Sequence, residues 1–460
     1  MRLLHTSDWH LGQTLHNFDR SYEHQCFLDW LLATLVSERI DTLLVAGDVF
    51  DNANPSAASQ KQLYRFLQQA RQRVPALNLV IIAGNHDSPG RLEAPAPLLE
   101  AHGTHVVGHV ARLADGSVDL ERLVLPLAGA DGQVAAWCLA VPFLRPGDVP
   151  RPPAAVAADG AAPMDAADAT AAAADTASAA TATPDADAEP GAGPDPYLAG
   201  IALLYRQALE LALRKRQPGQ AIVAMGHCHM VGGEMSNDSE RRIVIGGTEM
   251  LPAGIFDARI AYAALGHLHL AQTVGKQERV RYSGSPIPLS FAEVGYRHQV
   301  LRIDLDGEAV RSITALPVPR AVPLLRVPAR PAPLEQVLAE LADLPGPAVD
   351  HGDAATPAAE AALHTLPFLE VRVRLDAPEP GLRARIETAL AGKPVRLAKI
   401  ETSAAERLAQ PQAPALTLDQ LEQLQPADIF AQLYLHKYGE AAPQEQLSAF
   451  QELLLLDPHA

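Results

Sequence analysis

Leu79-Val80-Ile81-Ile82-Ala83-Gly84-Asn85-His86-Asp87 is an apolar run of strand length that breaks abruptly into Gly-Asn-His-Asp. Four other runs end in the same way. Arg2–Ser7 leads into Asp8-Trp9-His10, and Thr42–Ala46 into Gly47-Asp48-Val49-Phe50-Asp51. Ala221–Met225 leads into Gly226-His227-Cys228-His229, and Tyr262–Leu265 into Gly266-His267-Leu268-His269. Between them, Tyr22–Arg39, Pro55–Arg73 and Leu198–Arg216 carry apolar residues at helical spacing. Strand–helix alternation predicts an α/β domain. In such sheets ligands bind beyond the carboxyl ends of the strands, so five blocks at five strand ends are expected to converge on one crevice.

Carboxylates, imidazoles and one amide, with no thiolate required, suit Mn²⁺, Fe²⁺ or Zn²⁺. Asp48, with two oxygens to share, is the natural bridge between two cations. A pair of cations about 3.5–4 Å apart can clamp the attacking and leaving oxygens of a displacement at phosphorus. The glycine before each Asp or His is expected to let the backbone turn sharply. A lone His-x-His is weak; five blocks in this order are not readily explained by satisfied core polar residues.

Working outward, the 460 residues exceed one compact core, and two or three domains are expected. The stretch 151–196 has about 20 alanines in its 46 residues, with eight acids against one base and no aromatic. It cannot bury enough surface to offset its ordering entropy and reads as a disordered insertion within one domain, residues 1–274. The region 275–405, with strands at Arg279–Tyr282, Gln299–Leu305, Phe368–Leu375 and Pro394–Ile400 and helices at Leu334–Leu341 and around Leu382–Leu390, reads as a smaller α+β domain. Another strand is expected at Ile243–Ile245. Residues 415–460 read as an amphipathic helical tail, with Phe430/Tyr434 paired at i,i+4.

The net charge of -17 gives no basic footprint of the kind usual in DNA binders. A local positive stripe would suffice, and Arg372, Arg374, Arg383, Arg385, Lys393, Arg396 and Lys399 are a modest enrichment in the second domain. Three scattered cysteines argue against a disulfide framework. With no leader-like start and no membrane-length apolar run, the chain reads as cytoplasmic.

Asp-x-His, Gly-Asp-x-x-Asp, Gly-Asn-His-Asp, a lone Gly-His and Gly-His-x-His together resemble the calcineurin-like metallophosphoesterases. The flanks resemble more specifically the SbcD family, bacterial nucleases that pair with an SMC-like ATPase. They are Leu4–Gly12, Val45–Asp51, Ala83–Ser88, Ala264–His269 and Tyr282–Phe291. The resemblance implies a β-sandwich flanked by helices, a capping domain that positions DNA, and tail helices that dock on an SbcC-like ATPase. It assigns one metal to Asp8, His10, Asp48 and His269, and the other to Asp48, Asn85, His227 and His267. His86 then faces the phosphate with Asp87 orienting it, and Asp51 holds a ligand histidine. The fourth block needs one ligand and offers two histidines; His227, directly after its strand, is expected to be the ligand and His229 a bystander. His5, His16 and His24 read as structural or surface residues.

The same resemblance implies two Mn²⁺ ions and cleavage of duplex DNA ends, hairpins and single strands. It further implies a dimer within a two-plus-two complex and a role in repair, recombination and replication at the nucleoid. The ATPase would come from the partner, because the chain lacks a GxxxxGK[ST] loop. Two rivals remain: a phosphoesterase for small phosphodiesters or phosphoproteins, and a non-catalytic DNA-end-binding scaffold.

Overall fold

In the computed structural model, the described residues are 1–100, 103–150, 195–234, 250–346, 364–375, 377, 379–404 and isolated positions between 430 and 450. The expected insertion (but for its last two residues), the strand at Ile243–Ile245 and most of the helical tail lie outside them. Among the described residues no helix is long and apolar enough to cross a membrane.

Two six-stranded sheets form the larger part, beside a short hairpin of β2 (Thr14–Leu15) and β3 (Phe18–Asp19). The first runs β14 (Ala309–Pro317), β13 (Gln299–Asp306), β1 (Arg2–Thr6), β4 (Thr42–Ala46), β5 (Asn78–Ile82), β6 (Thr104–Val107). The second runs β11 (Gln272–Val274), β12 (Gln277–Tyr282), β10 (Tyr262–Gly266), β9 (Ala221–His227), β8 (Val134–Ala140), β7 (Val124–Ala128). The central strands of each are parallel.

Alternation along the strands sorts their side chains into two layers. Leu3, Leu44, Ala46, Val80 and Ile82 face the second sheet and pack in one core with Val223, Met225 and Ala264. Leu4, Leu43, Val45, Leu79 and Ile81 face helices α1 (Ser21–Ser37) and α2 (Ala57–Arg73), against Phe27, Leu31, Leu63 and Phe66. With both faces covered, these strands are continuous apolar runs, which is why they stand out in the sequence.

A three-stranded sheet, β15 (Leu324–Pro333), β16 (Phe368–Leu375) and β17 (Arg396–Ala404), carries helices Leu334–Ala342 and Leu382–Ala389. This moves the boundary expected at 275. Strands β12 and β13 belong to the two large sheets, with β13 returning antiparallel to β1. The smaller α+β fold starts only near residue 320. The chain divides into two compact units, and both sheets of the sandwich and nearly all of the small sheet fall in the first. In the second, Phe430 stacks on Phe450, ring centres 4.4 Å apart, and meets Tyr434 at 6.1 Å.

Candidate metal centre

The five blocks leave the carboxyl ends of β1, β4, β5, β9 and β10 and are tied together by backbone. Asp8 N–H donates to the Gly47 carbonyl (3.0 Å), His10 N–H to the Asp48 carbonyl (3.0 Å), and His267 N–H to Asp8 Oδ1 (3.0 Å). His86 N–H donates to Asp48 Oδ1 at 2.9 Å. Between Asp8 and His10, Trp9 points the other way into the helix layer. Its ring meets Phe27 and Phe66 edge-on and its Nε1–H donates to Thr6 Oγ1.

Four of the candidate ligands hold the left-handed backbone that non-glycine residues avoid: Asp8 (φ 54°), His10 (46°), Asp48 (48°) and His267 (106°). Such strain costs of order 1–3 kcal/mol per residue and persists only where the surroundings over-determine it. The glycines therefore act differently from the expectation. Of Gly47, Gly84, Gly226 and Gly266, only Gly47 has positive φ (89°). A Cβ on Gly84 would lie 2.1 Å from Asp48 Oδ1, and one on Gly266 would lie 1.9 Å from the Ala46 carbonyl oxygen. These two glycines permit close approach; the ligand residues make the sharp turns.

The imidazoles meet mostly acceptors. His227 Nδ1 donates to the Ala46 carbonyl (2.9 Å), so its Nε2 faces Asp48 Oδ2 (3.4 Å) and Asn85 Oδ1 (2.9 Å). Two oxygens around one ring nitrogen require a proton or a cation there. Burial alone would lower the His227 pKa, but the Asp48 carboxylate outweighs it and pushes it up to about 9. Asp48 is correspondingly held well below the usual carboxylate range: burial opposes this, and His227 beside it prevails. His267 Nδ1 lies 3.2 Å from Asn85 Oδ1. Its Nε2, like that of His10, is buried without a hydrogen-bond partner among the described residues. Burial, reinforced by His227, keeps His267 neutral. Neutral imidazole and ionised carboxylate are the forms that bind metal. Three sets of potential ligand atoms converge to within 4.8 Å: Asp8/His10/His269, Asp8/Asp48/His227 and His10/Asp48/His86. Neither His267 nor His229 is in any of the three; His229 is buried, with its ring centre 6.0 Å from that of His267. The residues present fit a divalent-metal site.

Around this set, Asp51 Oδ1 lies 3.3 Å from His10 Nδ1. His86, half-buried, has Nδ1 2.7 Å from the Asp51 carbonyl oxygen and its ring centre 4.8 Å from that of His10. Asp87, expected to orient His86, also holds backbone. Its carboxylate accepts from the backbone N–H groups of Val49 (3.1 Å), Phe50 (2.9 Å) and Gly84 (2.9 Å), clamping the second block to the third. The Asp51 carbonyl meets His86 Nδ1. Glu293 is a residue that sequence reasoning missed. It is fully buried, with Oε1 2.9 Å from His269 Nδ1. Its one available signal was an acid two residues beyond the Tyr282–Phe291 flank.

His5 links the two sheets through Tyr262 Oη (2.9 Å) and the Leu265 carbonyl (3.1 Å), and burial lowers its pKa to about 3. His24 is buried in α1, and His16 stacks on Phe291.

Buried carboxylate, amide and imidazole groups gathered at the strand ends of a two-sheet sandwich define a metallophosphoesterase. Residues 1–127 match the calcineurin-like phosphoesterase family model, a domain that implies divalent metals, and residues 320–438 match the type 5 capsule protein repressor C-terminal domain model. The chain is 38% identical to the SbcD subunit of the SbcCD nuclease of Rhodobacter capsulatus over 90% of each chain. It is 35% identical to the SbcD of Escherichia coli K12 over 70% of each, and 33% identical to that of Bacillus subtilis 168 over 66% of each. The chain belongs to the SbcD family of nuclease subunits.

Proposed function

We propose that the chain is a two-metal DNA nuclease, resecting duplex ends and cutting hairpins and single strands together with an SbcC-like ATPase. The observation that carries the chemistry is the buried His227 Nε2 set between Asp48 and Asn85 oxygens, where a cation would replace a proton. Asp8, His10, Asp48 and His269 would hold one cation, and Asp48, Asn85, His227 and His267 the other, with Mn²⁺ the expected metal. Bound there, the two cations would offset charge on the phosphate and make water acidic enough to attack.

The chain's own residues do the rest. Asp48 would offer its carboxylate to both positions. Asp51 holds the His10 ring in its tautomer and orientation. The Asp51 carbonyl keeps a proton on His86 Nδ1. That turns His86 Nε2 toward a phosphate oxygen, to stabilise its charge or protonate the leaving oxygen. Membership of the SbcD family supports DNA as the substrate, a partner ATPase docked on the tail helices, and a dimer within a two-plus-two assembly.

The test is Mn²⁺-dependent cleavage of linear duplex and hairpin DNA, with and without an SbcC partner, for the wild type and His86→Ala. The variant should lose about 10²–10⁴-fold in rate while keeping its metals. Strong hydrolysis of a small phosphodiester with no DNA cleavage under any condition would overturn the nuclease reading.

A further inference from the structure

We infer that Glu293 is a positioning residue for the first metal position, acting through His269; this rests on the metal reading above. Glu293 lies in the short 3₁₀ turn Phe291–Gly295, outside all five ligand blocks. Its side chain is fully buried, and burying a carboxylate away from water is costly unless its oxygens are engaged. Both are engaged. Oε1 meets His269 Nδ1 at 2.9 Å, while Oε2 accepts from Leu289 N–H at 2.8 Å and from Ser285 Oγ at 3.4 Å. The contact at Nδ1 holds the His269 ring so that Nε2 is the atom available to a cation shared with Asp8 and His10. A carboxylate behind a ligand histidine fixes its tautomer and raises its basicity.

The same turn carries a mechanical connection. Phe291, two residues before Glu293, packs in one cluster with Leu15, Val322, Leu324 and Phe368, where the sandwich meets the small sheet. The loop ending at Leu289 is held from the other side by Gln13 Nε2 on the Leu289 carbonyl and by Arg20 on the Pro288 carbonyl. Glu293 thus ties one metal ligand to the segment that bears the small domain.

The test is Mn²⁺ titration calorimetry on the full chain. Wild type should bind two ions, and Glu293→Gln should weaken one of them by about 10–100-fold. Glutamine can offer its carbonyl to only one of the two donors, His269 Nδ1–H or Leu289 N–H. Glu293→Asp keeps the charge one methylene short and should weaken the same ion by less; it carries the test if the glutamine variant fails to fold. A folded variant binding both ions as tightly as wild type would overturn the positioning role. A wild type that binds no Mn²⁺ would instead overturn the metal reading.

Discussion

The metal crevice and the small domain use the same kinds of charged side chain in opposite ways. In the crevice, Asp8, His10, Asp48 and His267 are buried and hold left-handed backbone, and the buried His227 Nε2 faces two oxygens. In the small domain the charges pair off. Arg372 meets Glu401, Arg383 meets Glu387, Arg385 meets Glu335 and Lys399 meets the buried Glu370, while Lys393 and Arg396 donate to backbone carbonyls. Six of the seven bases that suggested a positive stripe are thus engaged within their own domain. The contrast separates a site built for an absent charge from a surface that has neutralised its own.

The most severe way to test that contrast is Asp48→Ala. It removes the carboxylate proposed to serve both metal positions and leaves His227 Nε2 with one oxygen neighbour. Cleavage should fall by about 10³-fold or more, and metal analysis should find both ions lost. Full occupancy in the variant would refute the bridge.

Asp87→Ala comes next and acts on the scaffold. Three buried N–H groups would lose their acceptor at once, destabilising the fold by about 2–4 kcal/mol. Denaturant unfolding should report that loss even in chelator. A variant as stable as wild type but with altered pH dependence of cleavage would favour the orienting role.

How much of this was legible in sequence follows from the physics of each element. The strand ends were legible because β1, β4, β5, β9 and β10 are buried on both faces and each leads into one of the five polar blocks. The backbone bonds of Asp87 were not, because nothing within Gly84-Asn85-His86-Asp87 shows that its last carboxylate reaches three amides. Glu293 was hidden because its partner, His269, lies 24 residues away in another segment. The boundary at 275 failed for a related reason. Strand β13 alternates like an edge strand of a new domain, and only its pairing with β1, some 300 residues earlier, places it in the sandwich. Such non-local pairing leaves no local trace.

A milder probe is Arg396→Ala in the small domain. The guanidinium lies 3.8 Å over the Phe368 ring and donates to the Leu366 carbonyl. Its loss should cost about 1–2 kcal/mol of stability, read as a lower unfolding midpoint, with Mn²⁺ binding unchanged.

The gentlest test bears most directly on how the two regions differ. Arg383 and Glu387 form an i,i+4 pair at 2.8 Å on an exposed helix face. Water screens such a pair, and holding two long side chains together offsets most of its attraction. Arg383→Ala should therefore change stability by no more than about 0.5 kcal/mol. Because the charge is already matched by Glu387, it should also leave the salt dependence of DNA binding unaltered. A phosphate-contacting arginine behaves otherwise: its loss lowers the slope of log affinity against log salt by about one. A slope change of that size in Arg383→Ala would mean that the pair opens on DNA, and that the small domain presents its bases to phosphate after all.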